Sequence, residues 1–365
     1  MRILQVITSL RTGGAERLVV DLSKQLKLAG DGVEILLFDG TETALKSEAE
    51  AAGIPVRALS KGWRAMRNPL LFFKLTRFLR KNKFDIVHTH NTACQLLTSV
   101  SSCFVPLRLV TTEHNTDNRR RRWRWYRAVD RWMYGRYQRI FCVGEETKSD
   151  LAGYLDCDRL TEKLIVINNG IDVQKFIAAM PALDLAEVEG HKILMVSAFR
   201  PQKDHPTLIR ALQLLSPEYM LFLAGGSETD EDRQYLTRCK SLVSELELAD
   251  RVYFLGVRSD VPQLLATADV VVLSTAYEGG TSLAALEAMF MGKPLLASDV
   301  PGVHDLVSGA GLLFPFGDER RLAELIRQVC EDPSFAAEVG AKCRARAADY
   351  DVAETARRYL QEYAC

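Results

Sequence analysis

The sequence VVVLSTAYEGGTSLAALEAMFMGKPLLA, residues 270–297, contains two short apolar runs on either side of a helix-length segment. The first run, Val270–Leu273, and the second, Leu295–Ala297, have the composition of strands that are buried in a sheet. A turn at Gly279 and Gly280 separates the first strand from the helix. Strand, helix and strand in this order predict one unit of a parallel sheet covered by helices.

The same alternation extends along the whole chain. In the second half, further strands are predicted near Ile193–Val196, Leu221–Ala224, Val252–Leu255 and Leu312–Phe314. In the first half, strands are predicted near Ile3–Ile7, Val33–Phe38, Asp85–His88, Leu109–Thr112 and Ile140–Val143. Amphipathic helical segments lie between them, so we predict an α/β fold of two doubly wound, Rossmann-like domains that face each other across a cleft.

Turn-forming residues mark the boundary between these domains. The segment Asn168-Asn-Gly-Ile-Asp172 stands between the two strand–helix arrays, and a polar stretch follows it. We therefore predict domains at residues 1–172 and 173–365. Because open α/β sheets bind ligands beyond the carboxyl ends of their strands, the loops at those ends are the places to search for function.

The composition is typical of a packed globular protein. A length of 365 residues accommodates two domains, and 47% of the residues are hydrophobic. No run approaches the roughly 18 apolar residues of a membrane helix, and the first residues lack the features of a signal peptide, so we expect a cytoplasmic protein. The eight cysteines are never spaced as C-x-x-C, which argues against a zinc site or a disulfide framework.

A glycine pair follows the first predicted strand. Gly13 and Gly14 precede a long helix that begins near Ala15. Glycines let backbone N–H groups approach a ligand, and a helix N-terminus carries partial positive charge, so a diphosphate could bind here. A simple turn explains the pair equally well, and neither a dinucleotide fingerprint nor a P-loop motif is present.

Charged residues occupy two loops of the second half. Arg200 and Lys203 follow the strand near 193–196 and could bind a pyrophosphate, stabilising the charge on a departing nucleotide diphosphate. A solvated basic loop is the alternative. Glu278 and Glu287 bracket the turn after Val270–Leu273, and their carboxylates suit the hydroxyl groups of a sugar. The N–H groups of this turn add a second anion-binding element, formed by Gly279, Gly280, Thr281 and Ser282.

Six motifs together resemble the large retaining glycosyltransferase family 4, which has the GT-B fold. They cover nearly the whole chain in the order of the family: Gly13-Gly-Ala-Glu16, Asp85-Ile-Val-His-Thr-His90, Val166-Ile-Asn-Asn-Gly-Ile-Asp172, Phe199-Arg-Pro-Gln-Lys203, Phe254-Leu-Gly-Val-Arg258 and Glu278 to Glu287. The resemblance implies an acceptor-side N-terminal domain and a nucleotide-sugar-binding C-terminal domain. We expect the last helix, near 351–363, to pack back on the N-terminal domain.

The resemblance also implies roles for single residues of the C-terminal domain. Lys203 matches the lysine that grips the donor diphosphate. Ala198 stands where the family has an arginine, so Arg200 is the candidate for that arginine's role. Glu287 matches the glutamate that holds the ribose hydroxyls, and Glu278 resembles the one that faces the donor sugar, with one residue more between them than is usual.

Further roles follow from the same resemblance. Gly226 is expected beside the donor, and Gly256 and Val257 beside its base. In the N-terminal domain, His114 matches a histidine that approaches the transferred sugar. The family needs no metal, and His88 and His90 show no third ligand, so no metal or other cofactor is expected.

Two basic stretches of the first half contain interleaved aromatic residues. Residues 1–175 carry 29 Lys and Arg against 19 Asp and Glu, whereas residues 176–365 carry 18 against 28. No acidic residue occurs between Ala51 and Phe84, and a basic amphipathic helix of this composition can lie in an anionic lipid interface. A solvated basic face is the alternative, and no recognised nucleic-acid module is present. The predicted membrane-contact residues are Trp63, Arg64, Arg67, Lys74, Arg77, Arg121, Arg122 and Trp123.

The resemblance therefore implies a retaining hexosyltransferase. We expect it to move a sugar from a nucleotide-diphosphate donor, preferably a UDP-sugar, to a lipid-linked or polysaccharide-precursor acceptor at the cytoplasmic face of the membrane. A nucleotide-sugar epimerase of the same fold and a non-catalytic nucleotide-sugar binding protein are the alternatives. Only an epimerase would rapidly convert the donor when no acceptor is present.

Overall fold

The chain forms two compact units in a computed structural model that describes residues 1–11, 13–62, 68–114, 121, 123, 125–177 and 179–364. Unit 1 comprises Met1–Gly170 together with Val352–Cys365, and unit 2 comprises Ile171–Asp351. Four of the predicted membrane-contact residues, Trp63, Arg64, Arg67 and Arg122, lie outside the described residues.

Unit 1 is built on a parallel sheet, which has seven strands among the described residues. The strands are β1 (Arg2–Ile7), β2 (Gly32–Asp39), β3 (Val56–Ser60), β4 (Ile86–His90), β5 (Leu109–Glu113), β6 (Arg139–Cys142) and β7 (Leu164–Val166). Their spatial order is β3-β2-β1-β4-β5-β6-β7, so the order reverses between β1 and β4. All residues of β4 and β5 are buried, as expected for central strands covered on both faces.

Helices connect these strands and cover the sheet. They are α1 (Gly14–Leu28), α2 (Ala44–Ala51), α3 (Leu70–Lys81), α4 (Thr92–Ser101), α5 (Tyr126–Gly135), α6 (Glu145–Leu155) and α7 (Asp158–Thr161). In α1 the buried residues Leu18, Leu22 and Leu26 recur at helical spacing, which gives the helix one apolar face toward the sheet.

Unit 2 contains a second parallel sheet, with six strands in the described part of the chain. The strands are β8 (His191–Val196), β9 (Tyr219–Ala224), β10 (Val252–Gly256), β11 (Val270–Leu273), β12 (Leu295–Ser298) and β13 (Leu312–Phe314). Their order is β10-β9-β8-β11-β12-β13, so this sheet also reverses beside its first strand. The helices are α8 (Leu183–Ala186), α9 (His205–Gln213), α10 (Asp230–Glu245), α11 (Val261–Thr267), α12 (Leu283–Phe290), α13 (His304–Val307), α14 (Glu319–Glu331) and α15 (Pro333–Ala347).

The last helix, α16 (Val352–Ala364), belongs to unit 1. It packs against α1, and its buried residues Tyr359 and Tyr363 join the apolar cluster that contains Ile3 and Leu22. Burial of two large aromatic side chains stabilises this contact and holds the end of the chain on the first sheet.

The predicted α/β class with two doubly wound sheets is confirmed. All six strands predicted in the second half are present, and two strands of unit 1, β3 and β7, were missed. Among the described residues of the basic stretch between Ala51 and Phe84, Arg57 lies in β3 and a helix spans Leu70–Lys81.

Candidate functional site

The strand order of unit 2 reverses between β8 and β11. The loops that leave the carboxyl ends of these two strands run in opposite directions, and open parallel sheets bind ligands in the crevice at such a position. The loop after β8 contains Arg200 and Lys203, and the loop after β11 contains Glu278. The fold thus brings residues from distant parts of the sequence to one edge of the sheet.

Lys203 and Glu278 form an ion pair between these loops. The Nζ atom of Lys203 donates a hydrogen bond to Oε1 of Glu278, and the two side chains are 18% and 10% exposed. At this low exposure an ion pair is poorly screened by solvent. The pair therefore places a cation and a carboxylate side by side at the topological switch point.

Hydrogen bonds fix the two loops around the ion pair. The backbone N–H of Ala276 donates to the carbonyl of Gln202 at 2.8 Å, and the side-chain amide of Gln202 donates to the carbonyl of Tyr277 at 2.6 Å. The N–H of Glu278 donates to the carbonyl of Pro301, in the loop after β12, at 3.3 Å. Sequence reasoning missed Gln202, because a loop glutamine carries no recognisable signal.

Helix α9 begins two residues after Lys203. Asp204 adopts the left-handed conformation, with φ of 35°, which is uncommon for a residue other than glycine. Its half-buried carboxylate accepts a hydrogen bond from the hydroxyl of Thr207 at 2.7 Å, and partial burial raises the pKa of this carboxyl group. His205 stacks on Phe199 with 4.4 Å between ring centroids, and burial lowers its pKa to about 3, so the ring is neutral.

Arg200 pairs with a residue of α10. Its Nε atom lies 3.8 Å from Oδ1 of Asp232, and its side chain is 49% exposed. Asp232 already forms the capping box of α10 with Thr229, so it is anchored independently of the arginine. The guanidinium remains accessible to a ligand, and its participation beside Lys203 stays a prediction.

Glycines allow the neighbouring strand ends to come close together. A Cβ atom on Gly225 would lie 1.8 Å from the carbonyl oxygen of Ser197, so only glycine fits. The N–H of Gly225 donates to the carbonyl of Gly256 at 2.8 Å, which joins the ends of β9 and β10. Gly226 lies next to this contact, and a Cβ atom there would meet the side chain of Val257. Val257 itself is exposed.

The predicted anion-binding turn leads directly into α12. Its residues Gly279, Gly280, Thr281 and Ser282 are half-buried, and the Ser282 hydroxyl accepts from the N–H of Ala285, which caps the helix. Glu287 lies within α12 and is half-buried. The site residues predicted for unit 2 thus belong to the ends of β8, β9, β10 and β11, together with the helix that follows β11.

In unit 1 the strand order reverses beside β4, whose last residue is His90, and His114 follows the neighbouring strand β5. Nδ1 of His90 lies 3.0 Å from Nε2 of His114, and Nε2 of His90 lies 2.7 Å from Oε1 of Gln5. Burial lowers the pKa of His114 to about 4 and that of His90 well below its usual value, so both rings are neutral near pH 7.

A second set of buried hydrogen bonds connects β4 and β5 to α16. His88 lies 2.6 Å from the hydroxyl of Tyr363 and 2.7 Å from the hydroxyl of Thr112. The Thr112 hydroxyl in turn lies 3.2 Å from that of Tyr359. Sequence reasoning weighed His88 and His90 only as metal ligands, and their partners on Gln5 and α16 could not be found without the fold.

Arg121 was predicted to contact a membrane, but it lies in an ion pair within unit 1. Its Nη2 atom donates to Oε2 of Glu113 at 2.9 Å, and its side chain is 9% exposed. Glu113 is buried and also accepts hydrogen bonds from Gln95 and from the hydroxyl of Tyr134. This placement argues against Arg121 as a membrane-contact residue, because a guanidinium held in this way is not available to a headgroup.

The remaining membrane-contact predictions fall on exposed surface. Lys74 and Arg77 are exposed on α3. Beside them, Phe73 is 64% exposed and Phe104 is 56% exposed, and Phe72 contacts both rings. Trp123 is also exposed. Within the part of the chain that the structure describes, no helix has the length and apolar character needed to span a bilayer.

The glycine pair of unit 1 is placed at the start of α1. Gly14 is the first residue of the helix, and Gly13 precedes it in extended backbone without a side-chain cap. A Cβ atom on Gly13 would meet only the flexible carboxylate of Glu16, so the fold itself does not require glycine there. Among the described residues, no group of three His, Cys, Asp or Glu side chains is arranged to hold a metal ion.

Comparisons with known proteins agree with the architecture of both units. Residues 12–175 match the family described as Glycosyltransferase Family 4, and residues 184–347 match the family described as Glycosyl transferases group 1.

Two curated relatives and one solved structure illustrate the similarity. The UDP-Gal:alpha-D-GlcNAc-diphosphoundecaprenol alpha-1,3-galactosyltransferase of Escherichia coli is 29% identical over 71% of this chain and 69% of its own. The phosphatidyl-myo-inositol mannosyltransferase of Mycobacterium tuberculosis is 24% identical over 79% of this chain and 74% of its own. The crystal structure of Anabaena HepE in complex with UDP-glucose superposes with a TM-score of 0.87 at 22% identity, covering 100% of this chain and 99% of that one.

Proposed function

The chain belongs to glycosyltransferase family 4 and is a glycosyltransferase, and from this premise we propose that it transfers a sugar, with retention of configuration, from a UDP-sugar to a lipid-linked or polysaccharide-precursor acceptor. The observation that carries the proposal is the Lys203–Glu278 ion pair at the switch point of the second sheet. It provides a cation for a diphosphate and a carboxylate for a sugar at one point.

Lys203 is assigned to the leaving group. As the bond between the sugar and the diphosphate breaks, negative charge develops on the diphosphate, and a cation already fixed in place stabilises that charge without reorganising. The N-terminus of α12 and the glycine turn before it add N–H donors and the positive end of a helix dipole. Arg200, whose side chain is half exposed, is proposed as a second cation for the diphosphate.

Glu278 is assigned to the donor sugar. In the absence of ligand its carboxylate neutralises Lys203. When a diphosphate binds, the ammonium group gains an anion of higher charge, and the carboxylate becomes available to accept hydrogen bonds from sugar hydroxyls. No residue is assigned as a covalent nucleophile, so the double displacement of retaining glycosidases is not part of this proposal.

The remaining donor contacts are assigned to the neighbouring strand ends. Glu287 on α12 is proposed to hold the ribose hydroxyls, and the loop at Gly256 and Val257 to contact the base. Gly226 lies beside the donor in this proposal. UDP is preferred as the nucleotide because HepE, a fold relative, was crystallised with UDP-glucose and the E. coli relative is named for UDP-Gal.

The acceptor is assigned to unit 1. His114, half-buried and neutral, is proposed to face the transferred sugar, and Gly13 and Gly14, which follow β1 at the same switch point, are proposed to bind the donor. A lipid-linked acceptor is supported by the names of both curated relatives, which specify a diphosphoundecaprenol-linked sugar and a phosphatidylinositol.

A membrane-facing surface on unit 1 supports the same assignment. We define the α3 surface as Phe72, Phe73, Lys74, Arg77 and Phe104. Exposed aromatic rings beside basic side chains suit the headgroup region of an anionic bilayer, where rings insert and the cations meet phosphates. The enzyme is proposed to act peripherally at the cytoplasmic face of the membrane, without a nucleic-acid partner.

Catalysis is proposed to need no metal, because Lys203 and the α12 N-terminus supply the positive charge that a divalent cation supplies in other transferases. Chelation by EDTA is expected to leave the transfer rate unchanged.

The test is the variant Lys203→Ala, assayed by UDP release from UDP-glucose and UDP-galactose with a GlcNAc-diphosphoundecaprenol acceptor. We expect the rate to fall by about 100- to 1,000-fold, as when a fixed electrostatic donor is removed from an active site. Lys342→Ala is the matched control, since Lys342 forms an exposed pair with Glu338 on α15.

Near-normal turnover in Lys203→Ala would contradict the assignment. Rapid conversion of the donor when no acceptor is present would instead identify an epimerase, and binding of UDP-sugars without UDP release would identify a binding protein.

A further inference from the structure

His114 contacts His90, a buried residue to which the proposed function gives no role. Nδ1 of His90 and Nε2 of His114 are 3.0 Å apart, and the ring centroids are separated by 5.2 Å. His90 is wholly buried whereas His114 is partly exposed, so of the two rings only that of His114 can reach a substrate.

The orientation of the Gln5 side-chain amide in the structure sets which nitrogen of His90 carries the proton. Nε2 of His90 lies 2.7 Å from Oε1 of Gln5, and a carbonyl oxygen only accepts hydrogen bonds. Nε2 of the neutral His90 ring is therefore protonated, and Nδ1 carries the lone pair. That lone pair accepts from Nε2–H of His114, which leaves Nδ1 of His114 as an acceptor.

We propose that His90 is a positioning residue that, with Gln5 behind it, fixes the ring orientation and the tautomer of His114 and so presents Nδ1 of His114 to a hydroxyl group of the transferred sugar. This inference rests on the proposed function, because it takes His114 to face that sugar. An acceptor atom that is already oriented binds a hydroxyl without further loss of rotational freedom, and small displacements of such a group slow a reaction strongly.

A buried hydroxyl near His90, that of Tyr359, provides a matched control for variants of His90. The ring of His88 lies 4.2 Å from that of His90, but its two nitrogens are used by Tyr363 and Thr112. The Tyr359 hydroxyl contacts Thr112 at 3.2 Å and reaches His88 only through Thr112. Tyr359→Phe therefore removes a buried hydroxyl from the same region without touching the link between His90 and His114.

The first measurement is the rate of UDP release with whichever of UDP-glucose and UDP-galactose the wild-type protein turns over. In His90→Leu we expect kcat to fall by about 100-fold, the effect of a misplaced reacting group, while the Kd for UDP is unchanged because the nucleotide is assigned to unit 2. His90→Asn keeps an acceptor near the position of Nδ1 and is expected to recover roughly tenfold of that loss. Tyr359→Phe is expected to stay within about twofold of wild type.

The second measurement reports the tautomer directly. In protein labelled with ¹⁵N-histidine, NMR spectra that correlate ring nitrogens with ring protons distinguish Nδ1–H from Nε2–H, and His114→Gln assigns the signals of His114. We expect one tautomer of His114, protonated at Nε2, in the wild-type protein and in Tyr359→Phe. In His90→Leu we expect a mixture of both tautomers.

A wild-type kcat in His90→Leu with an unchanged tautomer would overturn the inference, as would an equal loss of kcat in Tyr359→Phe. If His90→Leu does not fold, His90→Asn decides by the same two readouts: a changed kcat together with altered His114 signals supports the inference, and an unchanged pair overturns it. Full activity of His114→Gln would instead remove the role of His114 from the proposed function, which separates that failure from a failure of His90.

Discussion

The two units share a topology but differ in the chemistry that they place at their switch points. Each has a parallel sheet whose strand order reverses beside its first strand. In unit 2 this position holds a charged pair, Lys203 and Glu278, and in unit 1 it holds neutral, hydrogen-bonded rings, His90 and His114. The topology thus provides the location of a site, and the side chains decide what the site can bind.

The difference corresponds to the two kinds of group that a sugar transfer must handle. A diphosphate is an anion and gains most from a partly buried cation. A sugar hydroxyl is neutral and gains most from an acceptor that is already oriented, since burying a charge beside it would be costly. Under the proposed function, the ion pair of unit 2 exchanges its carboxylate for phosphate, whereas the buried His90 of unit 1 keeps its contact with Gln5.

The charged site is tested most strongly by Glu278→Gln, which removes one charge and keeps the shape. Transfer is expected to fall by about 100- to 1,000-fold, because the negative charge is lost and one of the two acceptor oxygens for the donor sugar becomes an NH2 donor. The affinity for UDP alone is expected to hold or to rise, because Lys203 no longer has a competing carboxylate. Transfer rates and calorimetric binding of UDP, measured on the same preparation, check both expectations.

Glu338→Gln is the control for this variant, since it breaks an exposed ion pair on α15 of the same unit. A loss of UDP affinity in Glu278→Gln as large as its loss of turnover would mean that Glu278 maintains the loop rather than contacting the sugar. The contrast between a charged and a neutral site would then be weaker than proposed.

The architecture was predictable because strands buried on both faces produce continuous apolar runs. Val270–Leu273 is an example, and every predicted strand of unit 2 is present. The missed strands of unit 1 lack this signal: β3 lies at the sheet edge with Arg57 and Ala58 exposed, and β7 has only three residues. Edge position and short length remove the pattern on which the prediction depends.

For the site of unit 2, the sequence predicted the loops that carry the charged residues but not the contact between those loops. Lys203 and Glu278 each followed a predicted strand, but the contact between them depends on β8 and β11 being neighbours, which no local pattern specifies. The error at Arg121 has the same origin. A run of arginines beside tryptophans resembles a lipid-binding segment, and nothing in the run shows that Glu113, buried at the end of β5, pairs with one of them.

The neutral site of unit 1 is tested by the loss of its stability at low pH, because three of the four histidines that burial keeps neutral belong to this unit. His88, His90 and His114 have lowered pKa values there, against His205 in unit 2. Below the unfolded pKa of about 6.5 the unfolded chain binds protons that the folded chain does not, so stability that is present above this pH is lost as the pH falls. At pH 5.5 each wholly buried, neutral histidine lowers the free energy of unfolding by about 1.4 kcal/mol relative to a pH well above 6.5.

Amide hydrogen exchange at pH 7.5 and pH 5.5, corrected for intrinsic rates, is expected to show a larger loss of protection in β4 and β5 than in β8 and β9. In unit 2 the exposed His304 acts in the opposite direction, because its hydrogen bond to Asp299 raises its pKa. Equal losses in the two sheets would show that the histidines of unit 1 are not held neutral by the fold.

The excess of basic residues in unit 1 is tested by binding to anionic vesicles. Of the predicted changes, this one is expected to be the smallest. Arg77→Gln removes one exposed cation from the α3 surface and should weaken binding to vesicles that contain phosphatidylglycerol by about 1 kcal/mol, or roughly fivefold. Arg77→Lys keeps the charge and should bind as the wild type does. Arg238→Gln removes an exposed cation from α10 in unit 2 and should have no effect, because Arg238 is not part of the α3 surface to which the contact is assigned. If Arg238→Gln weakens binding as much as Arg77→Gln, the membrane contact does not belong to the α3 surface, and the excess of basic residues in the first half of the chain has another cause.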